Sequence, residues 1–182
     1  MKFIKITLII ISLILVFVVA LFWYMGYFQS VQVQEKQEGG YLMAGVDVVG
    51  PYSDAGRHIS KVDYKLKALG VNSTKGIGIY YDDPKTTPKD KYHSYVGNII
   101  DVTDTLLLEK IKLNGLKIDS IPNKKALIIE FPIKNTMSYM IGPMKAYPIF
   151  SKYVLEKNIK PTLTYEIYDM NTNIITFVMQ YD

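Results

Sequence analysis

The chain has 182 residues, 49% of them hydrophobic and 21% charged, enough for one membrane helix and one domain of ordinary size. Its net charge of +4 is carried by lysines interleaved with Asp and Glu, so no basic stripe suggests a nucleic-acid track. With 0 cysteines, a disulfide framework, a thiol nucleophile and a cysteine-based zinc site are excluded.

From Ile6 to Phe28 no charge interrupts a run rich in Ile, Leu, Val and Phe, long enough to cross a bilayer as a helix. Lys2 and Lys5 precede it, and Trp23, Tyr24, Tyr27 and Phe28 close it as an interfacial aromatic belt. A cleaved signal peptide, with Val18-Val19-Ala20 as its cleavage site, is the competing reading. The apolar stretch runs on past Ala20 with large aromatics, which favours an uncleaved single-pass anchor over residues 1–29. The N-terminal lysines favour a cytoplasmic N-terminus and an extracytoplasmic domain, periplasmic if the chain is bacterial.

Residues 30–182 read as one domain. Ser30 to Gln34 alternates valine with polar residues, and Tyr41 to Val49 is a second strand candidate; the Gly39-Gly40 turn predicts a hairpin of the two. Gly50-Pro51 stops the strand, Ser53 or Asp54 caps a helix, and Ile59, Val62, Leu66 and Leu69 recur at helical spacing up to Gly70. Strands follow at 76–81 and 92–102, then a connector with a short helix near 106–111. The order then repeats. Strands at 116–120 and 125–131 flank an Ile121-Pro122-Asn123 turn, and a helix spans 144–158, kinked or started by Pro148. Strands at 163–169 and 174–181 close the domain.

The repetition extends to short motifs. Gly50-Pro51, Ile59-Ser60-Lys61 and Tyr80-Tyr81-Asp82 are matched by Gly142-Pro143, Phe150-Ser151-Lys152 and Ile167-Tyr168-Asp169. Repeat one covers about 31–102 and repeat two about 115–182. The fold class is therefore α+β: an N-terminal helix, then two strand–helix–strand–strand repeats forming a pseudo-symmetric antiparallel sheet, with a groove between the halves.

Gly50-Pro51-Tyr52, Gly78-Ile79-Tyr80-Tyr81-Asp82-Asp83-Pro84 and Tyr165-Glu166-Ile167-Tyr168, with the segments 125–132 and 141–144, resemble those of GyrI-like small-molecule-binding domains. These domains also serve as effector domains of AraC- and MerR-type regulators. The anchored arrangement is similar to that of the testis-expressed ER-phagy receptor type. The resemblance covers about Val31 to Asp182. It implies a carboxylate deep in an aromatic cleft, at the position of Glu166, that receives cationic or amphipathic ligands. Some members are hydrolases that use the same glutamate. The chain lacks the regulators' DNA-binding helix-turn-helix, so transcription control and a nucleic-acid partner are not expected.

Glu166 lies in an otherwise apolar and aromatic strand, where burial would raise its pKa and suit it to face a cation or accept a proton. Alternation puts Tyr168 on its face. Aligning the Tyr-Asp motifs sets Tyr81 against Tyr168 and Ile79 against Glu166, so the duplication supplies a single carboxylate. Tyr52 and Met144 follow the two Gly-Pro corners, with Tyr139, Tyr147 and Phe150 near the second; each fits core packing or groove lining. Asp82-Asp83-Pro84 reads as a turn, and His58 and His93 have no ligand spacing, so no metal or cofactor is expected. The ligand set is thus Glu166, Tyr168, Tyr81, Tyr52, Tyr139, Tyr147 and Phe150. Three functions compete: a membrane-tethered binder of a small organic molecule, a hydrolase with Glu166 as general base, and an adaptor for a protein partner.

Overall fold

The computed structural model describes residues 2–182. Helix α1 (Lys2–Tyr24) contains an apolar span, Phe3–Tyr24, of mean hydropathy 3.1, long enough to cross a membrane. Its side chains are exposed along nearly the whole length, so it does not fill the core of the domain.

The remainder is an α+β fold. Eight strands, β1 (Gln34–Glu38), β2 (Tyr41–Val49), β3 (Lys75–Tyr80), β4 (His93–Ile100), β5 (Lys117–Ile121), β6 (Lys124–Pro132), β7 (Pro161–Asp169) and β8 (Ile174–Tyr181), form one sheet. Every neighbouring pair is antiparallel, in the order β1-β6-β8-β7-β3-β4-β2-β5. Helices α2 (Ala55–Ala68), α3 (Thr105–Leu113) and α4 (Ser138–Lys157) complete it. The repeats are β2-α2-β3-β4 and β6-α4-β7-β8, and β3 pairs with β7 where they meet.

Strand alternation divides the side chains between two faces. On one, Met43, Ile77, Ile79, Tyr95, Ile128, Tyr165, Ile167 and Val178 close a core on themselves as the sheet curls into a half-barrel. On the other, α2 and α3 cover Ala44 and Ile100 with Val62, Leu66 and Ile111, while α4 covers Leu127, Ile129 and Phe177 with Ile141, Ala146 and Phe150. The same face of the sheet thus carries α2 on one half and α4 on the other.

The expected leading hairpins do not form. β1 pairs with β6, not with the adjacent β2, and β5 pairs with β2, not with the adjacent β6. Each repeat's leading strand is exchanged onto the other repeat. The chain crosses itself where Gly39, at φ 127°, runs so close to Pro122 that a Cβ would lie 2.1 Å from the Pro122 carbonyl oxygen. Gly40 N–H donates to Ile121 O (2.8 Å), and buried Gln180 Nε2 donates to both Glu38 O (2.7 Å) and Pro122 O (2.8 Å). A Gly-Gly pair that reads as a hairpin turn serves here as a crossing point.

Two boundaries also move. The leading strand starts at Gln34, with Val31 and Val33 packed on the α4 core just before it. Helix α4 begins at Ser138 and runs through Pro143 and Pro148. Each proline removes one i→i−4 bond, to the carbonyls of Tyr139 and Met144, and both of those residues are exposed, so water can serve the freed groups.

Candidate functional site

The central strands β3 and β7, between the parts of the sheet covered by α2 and by α4, run in a register that sets Gly76 opposite Tyr168 and Gly78 opposite Glu166. Alternation brings Gly76, Gly78, Tyr80, Glu166 and Tyr168 to this face. The two glycines clear the floor. A Cβ on Gly76 would lie 2.9 Å from Ile59 of α2, and one on Gly78 2.6 Å from the Tyr80 hydroxyl, which folds back into that space.

Glu166 is 4% exposed, and both of its carboxyl oxygens are held. Tyr147 of α4 donates to Oε1 and Tyr168 to Oε2, each at 2.6 Å. The Tyr168 and Tyr80 hydroxyls are 2.8 Å apart. Because Tyr168 spends its proton on Glu166, Tyr80 is the donor in that pair, and the chain of hydroxyls runs Tyr80 to Tyr168 to Glu166. Among the described residues no Lys, Arg or His pairs with this carboxyl. Burial pushes its pKa up from the ordinary 4.5, and the two tyrosine hydroxyls pull it part of the way back. Tyr147 and Tyr168 are pushed well above the ordinary tyrosine value, first by burial and then by the neighbouring carboxylate. They are donors throughout the accessible pH range.

Aromatic faces surround the carboxyl. Tyr52 packs edge-on to Tyr80 (4.7 Å between centroids) and against Tyr92 (4.5 Å), and is pinned by Asp82 N–H donating to its hydroxyl (2.8 Å). On the α4 side the Tyr139 ring centroid lies 5.9 Å from that of Tyr168, and Tyr147 meets Phe177 edge-on at 5.9 Å.

Of the residues expected at the site, Glu166, Tyr168, Tyr147, Tyr52 and Tyr139 come together here. Tyr81 does not. It lies just past the end of β3, is 58% exposed, and neighbours Asp119, Asp47 and Lys117. Phe150 is fully buried between α4 and the sheet, and Met144 points to solvent on the outside of α4. The reason for the Tyr81 error is register. β4 (His93–Ile100) and β8 (Ile174–Tyr181) match end to end, and carrying that match across the ladders makes Tyr80 the counterpart of Tyr168 and Gly78 that of Glu166. Aligning the Tyr-Asp motifs is one residue out, which inverts the face. Tyr80, Gly78, Tyr92 and Phe177 were missed; the alternation Gly76-Ile77-Gly78-Ile79-Tyr80 is the signal for the first two.

No family model matches the chain. The testis-expressed protein 264 homolog of Mus musculus is 27% identical over 128 residues, which covers 66% of this chain and 39% of that protein. The chain thus spans well under half the length of the curated relative it matches. Two solved structures share the fold at low identity. The EcmrR C-terminal domain superimposes with a TM-score of 0.59 at 12% identity, covering 84% of this chain and 98% of that one. SAV2435 bound to tetraphenylphosphonium superimposes with a TM-score of 0.51 at 12% identity, covering 83% and 94%. At these identities the likeness is one of fold.

Proposed function

We propose that residues 30–182 form a GyrI-like effector-binding domain, tethered through an anchor at residues 1–29, that captures a small organic cation beside Glu166. Tyr52, Tyr139, Tyr147 and Tyr168 are the ligand-facing aromatics in this reading, with Tyr80 in the place first given to Tyr81. The observation that carries it is a carboxyl 4% exposed, held by two tyrosine hydroxyls and without a cationic partner among the described residues. An uncompensated buried carboxylate is costly, and a cation that reaches it removes that cost. Each ring face adds about 0.5–2 kcal/mol of cation–π attraction. The fold shared with a protein bound to tetraphenylphosphonium is consistent with this chemistry.

Tetraphenylphosphonium titrated calorimetrically into the full chain in detergent tests the reading. The cation favours the ionised carboxyl, so binding releases a proton and tightens as pH rises. Glu166→Gln is expected to weaken it about tenfold or more, the equivalent of about 1.4 kcal/mol, and to remove the pH dependence. Equal affinity in both proteins overturns the assignment of Glu166, and no binding by the wild type overturns the choice of ligand class. A second reading, a hydrolase with Glu166 as general base, is favoured by the hydroxyl chain from Tyr80, which could return a proton to the site. A Glu166→Gln protein that binds a compound but no longer consumes it would select that reading.

A further inference from the structure

The junction between α1 and the domain is built. Met25 is buried in the same core as Phe131 and Ile141, Asn135 Nδ2 donates to Tyr24 O (3.0 Å), and Lys145 Nζ donates to Tyr27 O (2.6 Å) and to Gln29 O. The end of the apolar helix is therefore fastened to the first half of α4, not left on a free linker. At 100° per residue, α4 presents four sides in turn. Ile141 and Lys145 meet the α1 junction, Ser138, Gly142 and Ala146 meet the sheet, and Tyr139 and Tyr147 meet Tyr168 and Glu166. Among the described residues, the fourth side is left exposed. It carries Met140 and Met144, 50% and 59% exposed, with Met137, 38% exposed, at the cap just ahead of the helix, and it lies between the junction side and the side of Tyr139 and Tyr147.

We infer that this methionine stripe is a lipid-contact surface, which sets the α4 side of the tyrosine cluster around Glu166 against the bilayer that holds α1; the inference rests on the reading of α1 as an anchor. Continuity is the first argument. Asn135 and Lys145, which flank the stripe in sequence, hold the backbone at Tyr24 and Tyr27, and Trp23, Tyr24, Tyr27 and Phe28 are all exposed at or just past the end of the apolar span, where aromatic rings sit at headgroup level. Charge is the second. From Pro132 to Leu155 there is no Asp or Glu, while Lys134 and Lys152 are exposed in addition to Lys145 at the junction, a balance suited to anionic headgroups. The side chains are the third, since unbranched methionines adapt to a disordered apolar phase. Such a surface would admit an amphipathic ligand from the membrane.

The absence of cysteine makes the test clean. Single cysteines replacing Tyr24, Met144 or Tyr64 are labelled with an environment-sensitive nitrobenzoxadiazole dye. Each full chain is then reconstituted into phosphatidylcholine–phosphatidylglycerol vesicles with or without doxyl-labelled lipid. Tyr64, 77% exposed on α2, is the position away from the stripe. Quenching at positions 24 and 144 but not at 64 is the expected result. Quenching at 24 alone overturns the lipid-contact surface and leaves the anchor standing, whereas no quenching at 24 overturns both.

Discussion

At the scale of single residues, Glu166 decides how this domain responds to pH. Its carboxyl is harder to ionise in the folded chain than in the unfolded one, first because burial strips away water. The native state therefore holds the proton more tightly than the unfolded state does. This contribution to stability is complete below about pH 4.5 and is lost as pH rises through the raised native value. Glu166→Gln keeps the shape and removes the titration. The melting temperature of the variant minus that of the wild type should thus climb with pH across this window and then level off; parallel curves would show that Glu166 ionises as freely folded as unfolded. A carboxylate in an apolar aromatic strand was legible from sequence because so few reasons put one there. Tyr80 was not, because two adjacent tyrosines point to opposite faces and only the strand register says which one joins the carboxyl.

At the scale of elements, sequence periodicity located seven of the eight strands and most helix ends well, missed the position of the leading strand by four residues, and failed where pairing is non-local. Short loops at Gly39-Gly40 and Pro122-Asn123 suit hairpins, yet the strands beside them pair across the repeats. At Gly39-Gly40 nothing in the local pattern distinguishes a turn from a crossing, because both suit glycine at positive φ. The close approach does distinguish them. Gly39→Ala meets a backbone carbonyl at 2.1 Å as well as an unfavourable φ, whereas at Gly40 the nearest atom is 3.9 Å away and φ alone is at issue. The Gly40 substitution should cost about 1–2 kcal/mol, the price of a left-handed conformation for an L-residue. The Gly39 substitution should cost clearly more, since the Pro122 backbone must move and Gln180 loses the geometry of its two bonds. Urea denaturation of the two variants gives the order, and an equal cost would mean that the crossing is loose.

At the scale of the whole molecule, the exchange of leading strands turns a duplication into a single interlocked unit. The two halves are joined by three strand pairs, β1 with β6, β2 with β5, and β3 with β7. Had each leading strand folded back on its own repeat, only the β3–β7 pair would join them. The repeat was readable from the sequence, but this distinction was not, since both arrangements bury the same faces of the same strands. It has consequences for how the tyrosine–carboxyl cluster is held, because Glu166 and Gly78 face each other across the pair of strands where the halves meet. A protease recognition sequence inserted between Val102 and Thr103, in the connector ahead of α3, would cut the chain into those halves without disturbing the Asp104 cap. The nicked protein is expected to elute as one species and to keep its circular dichroism spectrum. A cross-link identifies the pairing. Gln37 and Lys125 are partners in the β1–β6 ladder and both are exposed, so cysteines at these positions lie within reach of a disulfide. Mild oxidation of the nicked double variant should join the two fragments into one band on a non-reducing gel. Two separate bands would mean that β1 stays with its own repeat and that the halves are held together without the exchange.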